Sequence, residues 1–329
     1  MGQMNRERLS RRRFLGTAGA AVSGAGLSAC SVSPSNQARP VGRLQEEPVL
    51  RIAHLTDIHV QPQRGAAEGM AACLHHVQGA PEKPDFILNG GDCVMDVLAA
   101  DRSRAKVQWD LWKRVLRSEC SLPIIHCIGN HDIWGWDTEK SGTTGEENRY
   151  GKKWAAEVFE LERLYYSFDR GGWHFVVLDS MMPGPKAYIA RIDERQFEWL
   201  EQDLSAVQAG TPTVIVSHIP ILAACAYYDG ENEESGDWIV PGRWMHIDSR
   251  RIKDLFLKHP NVTLCLSGHI HLRDRVDYNG VVYLCNGAVS GGWWKGPYQE
   301  CEPGYALIDL HKDGSFGYRY IEYGWVPKA

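Results

Sequence analysis

Five apolar runs along this 329-residue chain end in residues able to bind metal or move protons. The end groups are Asp57-Ile58-His59, Asp92, Asn130-His131-Asp132, His218, and His269-Ile270-His271. Asp57, His59, Asp92, Asn130, His218, His269 and His271 offer oxygen and nitrogen donors in about the number that two divalent ions with one shared carboxylate require. Mixed imidazole and carboxylate shells suit Mn, Fe, Zn or Co. Apart from Cys93, next to Asp92, no cysteine stands at a donor position, so a thiolate zinc site is not indicated. Any one of these histidines alone reads as a structural residue; five blocks in succession read as a site.

Each block needs an element that stops beneath it. The run 49–56 is apolar and β-branched apart from Arg51 and His54, which predicts a buried strand. In its extended exit, residues two apart share a side, which would aim Asp57 and His59 at one ion. Helical spacing over 66–77 leads to a second strand, 85–89, closing on Gly90-Gly91-Asp92. A helix over 100–117, spaced through Val107, Leu111, Trp112 and Val115, precedes a third strand that runs into the turn Gly129-Asn130-His131-Asp132. The order strand, helix, strand, helix, strand predicts parallel pairing with helical crossovers, and open α/β sheets gather their sites beyond the strand C-termini.

Further on, the pattern predicts a helix over 150–161 and a hairpin of 165–168 with 174–178. A helix over 193–207 then leads to a strand 213–216 that delivers His218. A short helix, 249–258, precedes a strand 262–266 that delivers His269 and His271. Runs 281–284, 305–310 and 318–322 are expected as closing antiparallel strands. The long segment 133–149, with Trp134 and Trp136, reads as a lid or substrate wall, and 227–243 as another long polar loop.

A net charge of -5, with no basic run beyond the first thirteen residues, removes the electrostatic footprint of a nucleic-acid binder. Most of the nine cysteines lie in apolar runs, Cys127, Cys265 and Cys285 among them, and are expected as buried free thiols. Near the N-terminus, Ser10-Arg11-Arg12-Arg13-Phe14-Leu15 opens a weakly apolar stretch, 14–29, shorter than the roughly 20 residues a spanning helix needs. The arrangement resembles a twin-arginine export signal, and Leu27-Ser28-Ala29-Cys30 resembles a lipobox. Together they imply a signal peptide at 1–30, lipidation of Cys30, a flexible tether at 31–48 and a single domain at 49–329. The protein would then be an exported, membrane-anchored lipoprotein facing the periplasm or cell exterior, carried by export machinery for folded proteins.

The series Asp57-x-His59, Gly91-Asp92, Gly129-Asn130-His131-Asp132, His218 and Gly268-His269-x-His271 resembles the calcineurin-like metallophosphoesterase superfamily, across about residues 50–290. The resemblance implies an α/β fold, a four-layer αββα sandwich with mixed sheets. It implies a first ion on Asp57, His59 and His271, a second on Asn130, His218 and His269, and Asp92 bridging. Hydroxide held between the ions would attack phosphorus in line with the leaving oxygen. His131 would protonate the leaving group or steady the transition state, while Asp132 would either orient His131 or serve only as a turn residue.

Two departures narrow the reading. Purple acid phosphatases carry a metal-binding tyrosine three residues after the bridging aspartate and lack the first-block histidine; here those positions hold Met95 and His59. The extra C-terminal domain of periplasmic nucleotidases has no counterpart after His271. What remains is similar to smaller phosphodiesterases acting on cyclic nucleotides or glycerophosphodiesters. A phosphomonoesterase, a lipid-headgroup phosphatase and a non-catalytic metal-binding lipoprotein stay open as alternatives. Export of an already folded chain favours Mn or Fe loaded in the cytoplasm, with Zn the alternative. Trp293, Trp294 and Lys295 offer stacking and a cation for the substrate, or indoles packed under the sheet. His54, His75, His76, His126, His174, His246 and His259 take structural or surface roles.

Overall fold

Amphipathic helices and buried strands build two facing sheets in the computed structural model, which describes residues 47–327. The chain runs β1 (Leu50–Leu55), α1 (Ala66–Gly79), β2 (Phe86–Asn89), α2 (Arg102–Glu119), β3 (Ile124–His126), α3 (Thr138–Ser141) and α4 (Lys153–Phe159). It continues through β4 (Tyr166–Arg170), β5 (Trp173–Leu178), β6 (Met181–Gly184), β7 (Ala187–Ala190), α5 (Glu194–Ala206), β8 (Thr213–Ser217) and α6 (Ser249–Phe256). The last elements are β9 (Val262–Ser267), β10 (Asp274–Tyr278), β11 (Val281–Cys285), β12 (Gly304–Leu310) and β13 (Phe316–Glu322). The predicted signal, Cys30 and all but the end of the predicted tether lie outside the described residues.

One sheet has the order β13-β12-β1-β2-β3, and the other β10-β11-β9-β8-β5-β4. β1, β2 and β3 pair in parallel, as the crossover pattern predicts, and β12 and β13 close that sheet antiparallel. Burial explains the four layers. Leu50, Ile52, Phe86 and Leu88 of the first sheet meet Phe175, Val177, Val216 and Leu264 of the second in one core. The opposite face of the first sheet, with Ala53, Leu55 and Ile87, is covered by Met70, Leu74, Trp109 and Trp112 of α1 and α2. The outer face of the second, with Val176, Ile215 and Cys265, is covered by Leu200, Leu204, Ile252 and Phe256 of α5 and α6. Each large apolar side chain so buried contributes about 1.5–3 kcal/mol, which is what holds helices to sheets.

The expected antiparallel closure at 281–284 is corrected: β11 runs parallel to β9, with Leu284 opposite Leu266. The return is made by β10, an edge strand whose Asp-Arg-Val-Asp-Tyr sequence carries too little apolar alternation to read as a strand. It joins β11 through Asn279 and Gly280, both at positive φ (53° and 84°), the backbone a tight hairpin with the right twist requires. The small hairpin of β6 with β7 was also unpredicted. Among the described residues every cysteine is a free thiol, and no helix is long and apolar enough to cross a membrane.

Candidate metal centre

β1, β2, β8 and β9 stop beside one another, so the polar blocks that follow them meet at one end of the sandwich. Asp57, His59, Asp92 and Asn130 come from the first sheet, and His218, His269 and His271 from the second. The expected cause for Asp57 and His59 needs correction. They do converge, but not by the alternation of an extended strand: both are left-handed, at φ 54° and 49°. Asp92 (55°), His269 (73°) and His271 (61°) share that conformation. A non-glycine residue there costs roughly 1 kcal/mol, so the surrounding contacts hold the ligand backbone where it would not go by itself.

Two motif glycines are explained by close approach. A Cβ on Gly129 would stand 2.1 Å from Asp92 Oδ1, and one on Gly268 would stand 2.3 Å from Asp57 Oδ2. Backbone carbonyls then decide which ring nitrogen faces inward. His218 Nδ1–H donates to Gly90 O (2.9 Å), His271 Nδ1–H to Gly291 O (2.7 Å) and His269 Nε2–H to Arg243 O (2.9 Å). With those protons placed, His218 Nε2, His271 Nε2 and His269 Nδ1 carry the lone pairs. Thr56 Oγ1 and the His269 backbone N–H both donate to Asp57 Oδ2, leaving Oδ1 inward and unpartnered. Asp92 Oδ1 accepts from the His131 N–H at 2.8 Å, which leaves Oδ2 inward, 3.3 Å from His218 Nε2 and 3.7 Å from His59 Nε2.

These inward atoms fit divalent cations and little else. Three trios hold donor atoms within 4.8 Å of one another: Asp57, His59 and His271; Asp92, His218 and His269; and His59, Asp92 and His131, which overlaps both. His59 and His271 bring their Nε2 atoms to 3.1 Å, and His59 Nδ1 is buried without a partner. Burial, reinforced by neighbouring histidines, drives His59 and His269 down to about 3, so both are neutral and able to ligate. Burial alone would raise Asp92, yet His218, His131 and His59 pull it well below the usual carboxylate range. Against its own burial, His218 is raised to about 9 by Asp92. With Nδ1–H given to Gly90 O, that added proton sits on Nε2, the position where a cation would take the lone pair in its place.

His131 stands over the shared position, its ring 4.8 Å from that of His59 and Nε2 4.0 Å from Asp92 Oδ2. Asp132 does not orient it. Its carboxylate accepts from the backbone N–H groups of Cys93 (2.9 Å), Val94 (3.3 Å) and Gly129 (2.9 Å), tying together the loops that follow β2 and β3. The carboxylate facing His131 Nδ1, at 3.9 Å, belongs to Asp96, which sequence reasoning missed.

The paired indoles separate. Trp294 is buried, donates Nε1–H to the His59 carbonyl at 3.0 Å and packs edge-on to Trp325, so it cannot stack a substrate. Trp293 lies 4.6 Å from the His271 ring and edge-on to Tyr298, forming a wall at the first trio. Successive left-handed residues, φ 54° and 68°, send the two rings in different directions. Lys295 is exposed. Trp134 is core, its Nε1–H given to Ala100 O at 3.0 Å, whereas Trp136 is half-buried beneath Lys152. Another unpredicted link is buried His246, which joins Ser217 to Asp248 beside the second trio.

A hydrolytic centre for two divalent ions, carried on an αββα sandwich, is the class these features define. A comparison with known families agrees: the profile of the calcineurin-like phosphoesterases matches residues 50–273, and the chain belongs to that family. It is a metal-dependent phosphoester hydrolase. It is similar to the 3',5'-cyclic adenosine monophosphate phosphodiesterase CpdA of Escherichia coli (24% identical; 83% of this chain, 89% of the relative). It also resembles purple acid phosphatase 23 of Arabidopsis thaliana (27% identical; 56% of this chain), of which it spans only 36%. Among solved structures, a dimetal phosphatase from Danio rerio shares the fold with a TM-score of 0.58, at 15% identity, covering 84% of this chain and 98% of that one.

Proposed function

We propose that this enzyme is an exported phosphodiesterase for small substrates of the cyclic nucleotide or glycerophosphodiester type. The observation that carries this reading is the similarity to a cyclic nucleotide phosphodiesterase along nearly the whole of that relative. The aromatic wall of Trp293 and Tyr298 beside His271 supports it, since a diester retains an organic arm that such a wall can pack. Asp57, His59 and His271 would hold the first ion, Asn130, His218 and His269 the second, and Asp92 both, with Mn or Fe as the native metals. When bound, two divalent ions supply Lewis acidity toward phosphoryl oxygens and lower the pKa of water. The chain itself balances their charge with Asp57 and Asp92, fixes the ligand tautomers through backbone carbonyls, and holds His131 where a leaving oxygen can take its proton. Lipidation of Cys30 would tether the enzyme; Cys30→Ala is expected to move the protein from the membrane fraction to the soluble one.

The test is hydrolysis of a chromogenic phosphodiester and of the matching monoester by the full chain loaded with Mn. Preference for the diester, lost by at least about 1,000-fold in Asp92→Asn, is the expected result. Monoester preference would move the assignment to a phosphatase, the reading favoured by the shorter match to a purple acid phosphatase. Both ions bound with neither ester cleaved would leave a metal-binding lipoprotein.

A further inference from the structure

The second trio has a flank unlike the aromatic wall of the first. Tyr188, on β7, is buried and sets its ring edge-on to His269, with centroids 6.4 Å apart. Its hydroxyl has no hydrogen-bond partner among the described residues. Arg243 meets the same histidine through its backbone: its carbonyl fixes the His269 ring, while the side chain of this half-buried residue makes no ion pair or hydrogen bond among the described residues. Two other basic side chains are occupied: Lys152 by Asp179 and the Met181 carbonyl, and Arg64 by the Trp293 carbonyl.

The two residues are held in register. Ala190 N–H donates to Gly242 O at 2.8 Å, and Ile247 N–H to Ala190 O at 3.0 Å, stitching β7 to the segment that carries Arg243. His246 N–H donates to Pro220 O and anchors that segment beside His218. Before Tyr188 the hairpin turns through Lys186 and Ala187 at φ 62° and 82°, a costly backbone for side chains bearing Cβ atoms. The backbone that carries them is fixed beside the His269 ligand, and an unpaired guanidinium and an unpaired phenol there lack an anionic acceptor among the described residues.

We infer that Tyr188 and Arg243 form a two-pronged donor site for a non-bridging phosphoryl oxygen of the substrate, on the His269 side of the centre. Negative charge spreads over those oxygens in the transition state, where preorganised donors act most strongly. The inference rests on the metal-ligand assignment above and is indifferent to whether the substrate is a diester or a monoester.

The experiment compares the Mn-loaded full chain with Tyr188→Phe, Arg243→Ala and Arg243→Lys by metal content, orthovanadate titration calorimetry and steady-state kinetics. Tyr188→Phe keeps the buried ring. Expected are two ions per chain throughout, vanadate bound about 10-fold more weakly by Tyr188→Phe and Arg243→Ala, and kcat/KM lower by about 10–100-fold. Arg243→Lys is expected to recover part of each loss, as a point charge replaces the planar fork. Vanadate affinity and kinetics equal to wild type would overturn the site. So would loss of an ion from Tyr188→Phe, because the tyrosine would then serve the ligand shell. Failure of wild type to bind metal or turn over would strike the ligand assignment instead.

Discussion

Two clusters of carboxylate and imidazole lie at opposite ends of β5, and they are wired in opposite ways. Near its N-terminal end, His174 gives both ring nitrogens to carboxylates, Asp169 at 2.7 Å and Asp203 at 2.9 Å, and Ser167 donates to the remaining oxygen of Asp203. Beyond the C-terminal ends of the neighbouring strands, the histidines instead give their protons to backbone carbonyls and turn lone pairs on one another. The same residue types therefore make a closed ion pair in one place and a cation receptor in the other. What separates them is the destination of the protons, not the composition. A cluster that satisfies itself has nothing to offer an ion.

The sharpest way to break this contrast is at His131, whose buried Nδ1 has no hydrogen-bond partner and faces Asp96 only at 3.9 Å. His131→Ala is expected to lower kcat by about 10²–10⁴-fold with both ions retained, measured by turnover alongside metal analysis. A loss of metal instead would make His131 a ligand, part of the receptor rather than a proton donor over it. Next comes thermal unfolding with Mn. An ion at about 100 times its Kd should stabilise the wild-type chain by about 2.7 kcal/mol. His218→Ala should abolish most of that gain, and His174→Gln should leave it intact. If His174→Gln lost it too, the two ends would be coupled and the contrast would fail.

The smallest effect belongs to the closed pair. Burial lowers the affinity of His174 for a proton, but its two carboxylates more than reverse this and raise its pKa above the ordinary value. A raised histidine contributes stability that is fully present below the unfolded pKa of about 6.5 and disappears as pH climbs through the folded value. His174→Gln should accordingly cost about 1 kcal/mol at pH 5.5 and progressively less in alkaline buffer, by urea unfolding at both pH values. A cost independent of pH would show that packing, not charge, is what His174 supplies.

Legibility in the sequence followed the same division. The donors were readable because few side chains bind hard cations and because each stood just after a strand; β1, β2, β8 and β9 were within a residue or so of their predicted bounds. The left-handed backbone at Asp57, His59 and Asp92 was not readable, since those residue types do not require it and only the packed loops impose it. Asp132 misled because a carboxylate next to a histidine in sequence need not be next to it in space. Trp293 and Trp294 are chemically identical, and their opposite fates depend on two backbone angles. Tyr188 and Arg243 come from a short hairpin and an irregular loop, where no periodicity marks them. Asp96 could have been sought as the next carboxylate after Asp92.

The left-handed ligands also bear on transplantation. Copying the seven donor side chains onto the strand ends of another α/β scaffold would reproduce the inventory without the trajectories, because an ordinary strand exit points its Cβ atoms elsewhere. A graft that starts from glycine-tolerant loops, sets Asp57, His59, Asp92, His269 and His271 equivalents at positive φ, and keeps the glycines that let neighbouring chains touch would carry the geometry with it. The unit of inheritance here is a set of bent loop entrances, with the side chains as their cargo.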